Sequence, residues 1–204
     1  MSASTSSTDI VNLALDILKT ENISDVEMPA DDDIAAVMNR WYDDIRQNAL
    51  EGFPWVFATK RAELPLNATA PAFGYDDAYV LPNDYLSLAF ISDEYIPLSQ
   101  WDYTIENGQI LIDNGGGASL EVGYIYDVTN AGKFSPSFKL YLAYLLAYHT
   151  VAKLVGNTSV IGWVQKALQR EEIQAKAKNG RNNPPKGYRR VEMLSARRGQ
   201  IWSR

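Results

Sequence analysis

Adjacent carboxylates recur along this chain as Asp43/Asp44, Asp76/Asp77, Asp93/Glu94 and Glu171/Glu172, and one histidine, His149, is present. Paired acids could serve a glycosidase, which needs two carboxylates facing each other across a cleft, one with a raised pKa. Neighbours in a helix or strand point apart, so these pairs read instead as a solvated acidic face. A hydrolase would have to draw on separate positions, with Glu51, Asp76 and Glu94 as candidates. His149 sits in the most apolar stretch, with no local Ser or Asp to make a nucleophile–base pair. It is expected to be a buried structural histidine or an interface hydrogen bonder.

Other chemistries find no footing. There are no cysteines, which excludes disulfides and thiolate metal sites, and one histidine cannot assemble the usual zinc set. No cofactor is expected. Gly132-Lys133 is followed by Phe134, and Asp127 stands where a phosphate-binding loop needs its first glycine. The glycine run 115–117 precedes a strand-like segment rather than a helix, so it reads as a turn.

The elements that carry these residues follow from periodicity. Thr8 is a plausible cap for a first helix, with Ile10, Leu13, Ala14, Ile17 and Leu18 as its apolar stripe. A second helix is expected to start in the acidic run 31–33 and to bury Ile34, Met38, Trp41, Ile45 and Ala49. Gly52 and Pro54 end it. From about residue 58 the pattern becomes β, with short segments at 77–81, 85–91 and 94–98. Asn107-Gly108 is the preferred two-residue hairpin turn. Leu120, Val122, Tyr124 and Tyr126 alternate onto one face. Helix returns at 138–155, apolar on nearly all sides. A fourth helix, capped by Ser159, should turn Ile161, Val164, Leu168 and Ile173 inward and stop at 179–187.

The expected architecture is therefore α+β: an antiparallel helix bundle with an inserted antiparallel β domain and an extended C-terminal tail. The divisions are 1–57 and 136–179 for the bundle, 58–135 for the insert and 180–204 for the tail. Phe53, Pro54, Trp55 and Phe57 form the junction, where aromatic burial should lock bundle to insert. No run of 18 apolar residues exists, so no membrane span is expected. The first ten residues lack the basic and apolar parts of a secretory signal.

Charge divides the chain. Residues 180–204 hold seven Lys/Arg and one acid, Glu192, for a net +6, and the rest holds 12 bases and 24 acids, for a net −12. The basic tail could neutralise phosphates. Its interleaved Tyr188, Val191, Met193, Leu194, Ile201 and Trp202 favour docking on a protein instead. A tail that only solubilises fits poorly with Ile201 and Trp202.

Several segments together resemble the head-to-tail adaptors of short-tailed phages, the tail tubular protein A family. They are DIVNLALDILKTENISDV, AAVMNRWYDDIRQNALEGFPWVFATKRAEL and FGYDDAYVLPNDYLSL, within a likeness spanning roughly residues 8–175. The resemblance implies a non-enzymatic structural protein of the virion, assembled in the host cytoplasm as a dodecameric ring. Its expected partners are the portal protein above and a tail nozzle protein, similar to tail tubular protein B, below. Genomic DNA would pass through the lumen without specific binding, as suits an acidic body. The tail would reach the portal through Tyr188, Arg189, Arg190, Met193, Leu194, Arg197, Arg198, Ile201 and Trp202. A tail-accessory peptidoglycan hydrolase and a nucleic-acid-binding module acting through the tail are the alternatives.

Overall fold

The computed structural model describes residues 6–27, 33–92 and 96–182, and shows four helices with two small antiparallel sheets, an α+β fold. Helix α1 (Ser7–Leu18) is capped by Ser6, not Thr8. Ser6 accepts from the Asp9 amide while the Asp9 carboxylate accepts from the Ser6 amide, a reciprocal pair that answers two otherwise free N–H groups. The Ser6 amide and hydroxyl hold the exposed Asp9 carboxyl below its ordinary pKa. Thr8 instead ties α1 to the following loop by accepting from the Val26 amide. The buried stripe of α1 is Ile10, Val11, Ala14, Leu15 and Leu18, and the expected Leu13 faces outward.

Helix α2 (Asp33–Glu51) ends where Gly52 and Pro54 predict. Its buried face is Ala35, Met38, Tyr42, Ile45, Arg46, Ala49 and Leu50. Met38, Ile45 and Ala49 are buried as expected, but Trp41 is 41% exposed and Tyr42 takes the inward place. Helix α3 (Pro136–Leu154) starts at the Ser135 cap with proline in its first position, where no amide is needed. It is buried on most sides, as its sequence predicts. Helix α4 (Thr158–Asn182) is capped by Asn157, whose side chain accepts from the Ser159 amide, so Ser159 is not the cap. Val164 and Leu168 point inward, but Ile173 is 69% exposed, and the buried line passes through Ala167, Glu171, Ala175 and Asn179. The helix runs to Asn182, inside the segment 179–187 expected to stop it.

Strands β1 (Thr59–Pro65), β6 (Ser119–Tyr126) and β3 (Tyr85–Ile91) form one sheet in the order β1-β6-β3. Strands β2 (Asp77–Val80), β5 (Gln109–Ile112) and β4 (Tyr103–Glu106) form the other, in the order β2-β5-β4. Asn107 (φ 50°) and Gly108 (φ 71°) join β4 to β5 with the positive φ at both positions that the turn demands. The expected strand at 94–98 does not form over its described part: Pro97, lacking an amide, leads into a single 3-10 turn at Leu98–Gln100.

The sheets face each other over Leu64, Tyr79, Ile91, Ile110, Ile112, Leu120, Val122 and Tyr124. Period-two alternation along β6 sends Leu120, Val122 and Tyr124 into this core, and Ile125 into the helical one. The first sheet thus has apolar contacts on both faces. Gly123 marks a close approach, since a Cβ there would lie 2.1 Å from the Phe90 ring. In register across that sheet lie Arg61, Gly123 and Phe90, with the Arg61 guanidinium 4.7 Å above the Phe90 ring.

Candidate functional site

At the junction four aromatic rings surround Trp55. Trp55 is fully buried in the helical core and donates its indole N–H to the Ala49 carbonyl at 2.8 Å. Its ring meets Phe53 at 5.0 Å and Phe138 of α3 at 4.9 Å, and Phe57 meets Phe134 and Phe138. Phe53 and Phe57 are half-buried and Pro54 is exposed. The Pro54 carbonyl accepts from Asn179 Nδ2 (3.1 Å), and Asn179 Oδ1 accepts from the Val56 amide (2.9 Å). One buried amide side chain therefore stitches the end of α4 to the strand-bound turn. Phe53, Trp55 and Phe57 are in ring contact, and Pro54 contributes its carbonyl.

A second lock lies on α2. Arg46 is 2% exposed, yet lies on the buried face of α2. It pairs with Asp127, just past β6, and donates to the Val128 carbonyl (2.8 Å) and to Asp43 (3.1 Å). Gln47 adds a bond to the other Asp127 oxygen (2.9 Å). Burial alone would lower the Arg46 pKa, but the Asp127 and Asp43 carboxylates outweigh it and hold the guanidinium charged. The helices are thus clamped to the return path of the β insert by a charged, hydrogen-bonded cluster. The available signal was a charge at a helical position otherwise reserved for apolar side chains. Beside it the Tyr42 hydroxyl is buried without a hydrogen-bond partner among the described residues, and burial raises its pKa to about 12.

On the insert, Asp84 receives Lys60 at 2.5 Å and the Tyr124 hydroxyl at 3.0 Å. Partial burial opposes its ionisation, but these bonds prevail and lower its pKa. Asp77 is buried and accepts from the Asn114 and Gly116 amides, fixing the glycine run as a turn.

The other sequence candidates are not brought together. Glu51 is exposed at the end of α2, and Asp76 is exposed at the entry to β2. Glu94 lies outside the described residues. Among the described residues no group of three or more His, Asp or Glu could hold a metal ion, and no helix is long and apolar enough to cross a membrane. His149 is exposed rather than buried. It stacks on Trp41 at 6.1 Å, and Tyr148 meets it edge-on at 5.6 Å. Tyr188, Arg189, Arg190, Met193, Leu194, Arg197, Arg198, Ile201 and Trp202 all lie outside the described residues. Where α4 ends, a cleft of about 420 Å³ opens between Val56, Phe57, Ser135, Ser137, Lys178 and Arg181.

No protein-family model matches this chain, and no curated protein sequence matches it.

Proposed function

We propose that this protein is the head-to-tail connector of a short-tailed phage, joining the portal to the tail nozzle in a ring and continuing the DNA channel. The observation that carries the reading is the double lock between helices and sheets. A part that transmits load between two larger assemblies needs a stiff joint, and here Asn179 of α4 holds the turn that leads into β1 while the Arg46–Asp127 clamp ties α2 to the segment that leaves β6. The order of parts, helices, β insert, then helices, is the order that the resemblance implies. The net charge of −12 on residues 1–179 suits a lumen along which DNA slides without sticking. Virion localisation, a dodecameric ring and the portal and nozzle as partners belong to the same proposal.

Asn182, the last residue of α4, lines the cleft at the junction end, and residues 183–204 follow it in sequence. We assign them to portal docking, with aromatic and arginine anchors of the kind that dominate protein interfaces. Co-sedimentation with portal rings of the cognate phage tests this. Full-length protein should bind saturably, and a chain ending at Asn182, which keeps α4 whole, should not. Equal binding of both forms would remove the tail assignment, and binding by neither would remove the connector reading.

A further inference from the structure

Two outward helix faces carry large apolar side chains set among charges of opposite sign. On α2, Asp33, Arg40, Asp44 and Glu51 lie at steps of seven and four residues along one exposed line, with Trp41 beside it. On α4 the exposed line runs through Trp163, Lys166, Arg170, Ile173 and Arg181, with Trp163 53% and Ile173 69% exposed. At 1.5 Å of rise per residue, each line is about 27 Å long. The α2 line has three carboxylates to one cation. The α4 line has three cations and no carboxylate, although Arg170 also reaches Glu171 at 3.2 Å.

These faces cannot meet within one chain, because α3 lies between the helices. Trp41 stacks on His149 of α3, while Trp163 approaches Tyr144 of α3 at 6.5 Å. Both helices run antiparallel to α3. Trp41 sits by its C-terminal half and Trp55, beyond the end of α2, by Phe138 near its start. Trp163 sits by Tyr144, and Asn179 lines the cleft with Ser135 and Ser137. The two faces are therefore parallel, of equal length, complementary in charge and on opposite flanks.

We infer that the occupant of both faces is a second copy of this chain, with the basic line of α4 in one copy set against the acidic line of α2 in the next. A contact between two different patches is heterologous, so it repeats from copy to copy until rotation closes a ring. Tryptophan anchors inside a charged rim are the usual anatomy of such a contact. One helix pair buries less than the roughly 800 Å² per partner of a stable interface, so each contact is weak and closure supplies the cooperativity. The inference deepens the connector reading, on which it rests, by assigning the contact between subunits.

The absence of cysteine allows a clean test. A chain carrying both Asp44→Cys and Lys166→Cys, treated with a short bismaleimide at high protein concentration, should give a ladder of oligomers. A mixture of the two single variants should stop at dimers. Separately, Asp44→Lys with Glu51→Lys, or Lys166→Glu with Arg170→Glu, should each weaken self-association at least about tenfold, because like charges then face each other. Mixing these two charge-reversed proteins should restore it, since each supplies the face that the other lacks. No ladder, or charge-reversed proteins that associate like the parent, would overturn the inference. Portal binding, measured in parallel on the unmodified protein, separates the two claims. If portals bind but the ladder and the rescue fail, the α2–α4 contact is wrong and the connector reading stands. If the ladder and the rescue appear without portal binding, the contact stands and the connector reading falls.

Discussion

Trp55 has no exposed surface and its only polar atom is bonded to Ala49, so the side chain contributes packing and one buried hydrogen bond. Trp55→Ala should cost about 3–5 kcal/mol in denaturant unfolding, the range for deleting a large buried aromatic. Arg46 makes a sharper case, because removing one member of a buried ion pair strands the other. Asp127→Ala should cost about 3–5 kcal/mol, and pairing it with Arg46→Met should cost much less than the sum of the single changes. Additivity in that double-mutant cycle would mean that the clamp does not act as a unit. Tyr42 predicts the opposite sign. Its buried hydroxyl has no partner among the described residues, so Tyr42→Phe should leave stability unchanged or raise it by about 1 kcal/mol at neutral pH. These residues also mark what sequence could reveal of the junction. The aromatic run 53–57 announces burial by composition. Asp127 and Asn179 have their side-chain partners 80 to 125 residues away, and of the Arg46 contacts only the one to Asp43 is local.

Among the secondary-structure elements, the hairpin at Asn107-Gly108 was readable because its chemistry is local: two positive φ angles and the residues that tolerate them. Strand β1 was not, since Thr59–Pro65 is mostly charged or exposed and buries only Leu64 fully. It is a strand because β6 pairs with it along its whole length. Most expected inward positions of α1, α2 and α4 are buried, but Leu13, Trp41 and Ile173 are apolar yet exposed. Apolar character predicts burial only when a neighbouring element is there to cover it. Four elements share one pH response. The phenols of Tyr42 (α2), Tyr85 (β3), Tyr124 (β6) and Tyr141 (α3) are each raised to about 12, chiefly by burial. A raised folded-state pKa favours the neutral phenol, so this stabilisation is whole below the unfolded value near 10 and is lost as pH rises through 12. Unfolding midpoints should therefore fall from about pH 10 upward, and Tyr42→Phe should lessen that fall. A phenol titration in which every tyrosine ionises near pH 10 would contradict this.

For the whole molecule, the α+β order was readable from the change of period near residue 58 and its return near 136, and the structure has that order. How tightly the insert joins the bundle was not. It emerges from Ile125 and Val128 lying in the helical core, and from the Arg46 clamp across the same boundary. A stiff joint of this kind is what a connector between two assemblies requires, and bridging is the property that defines one. The most direct measurement is three-component co-sedimentation of portal rings, this protein and the cognate nozzle protein. The expected result is that the nozzle sediments with portals only when this protein is present, at one copy per portal subunit. Nozzle recruitment in its absence, or no recruitment in its presence, would contradict the connector function.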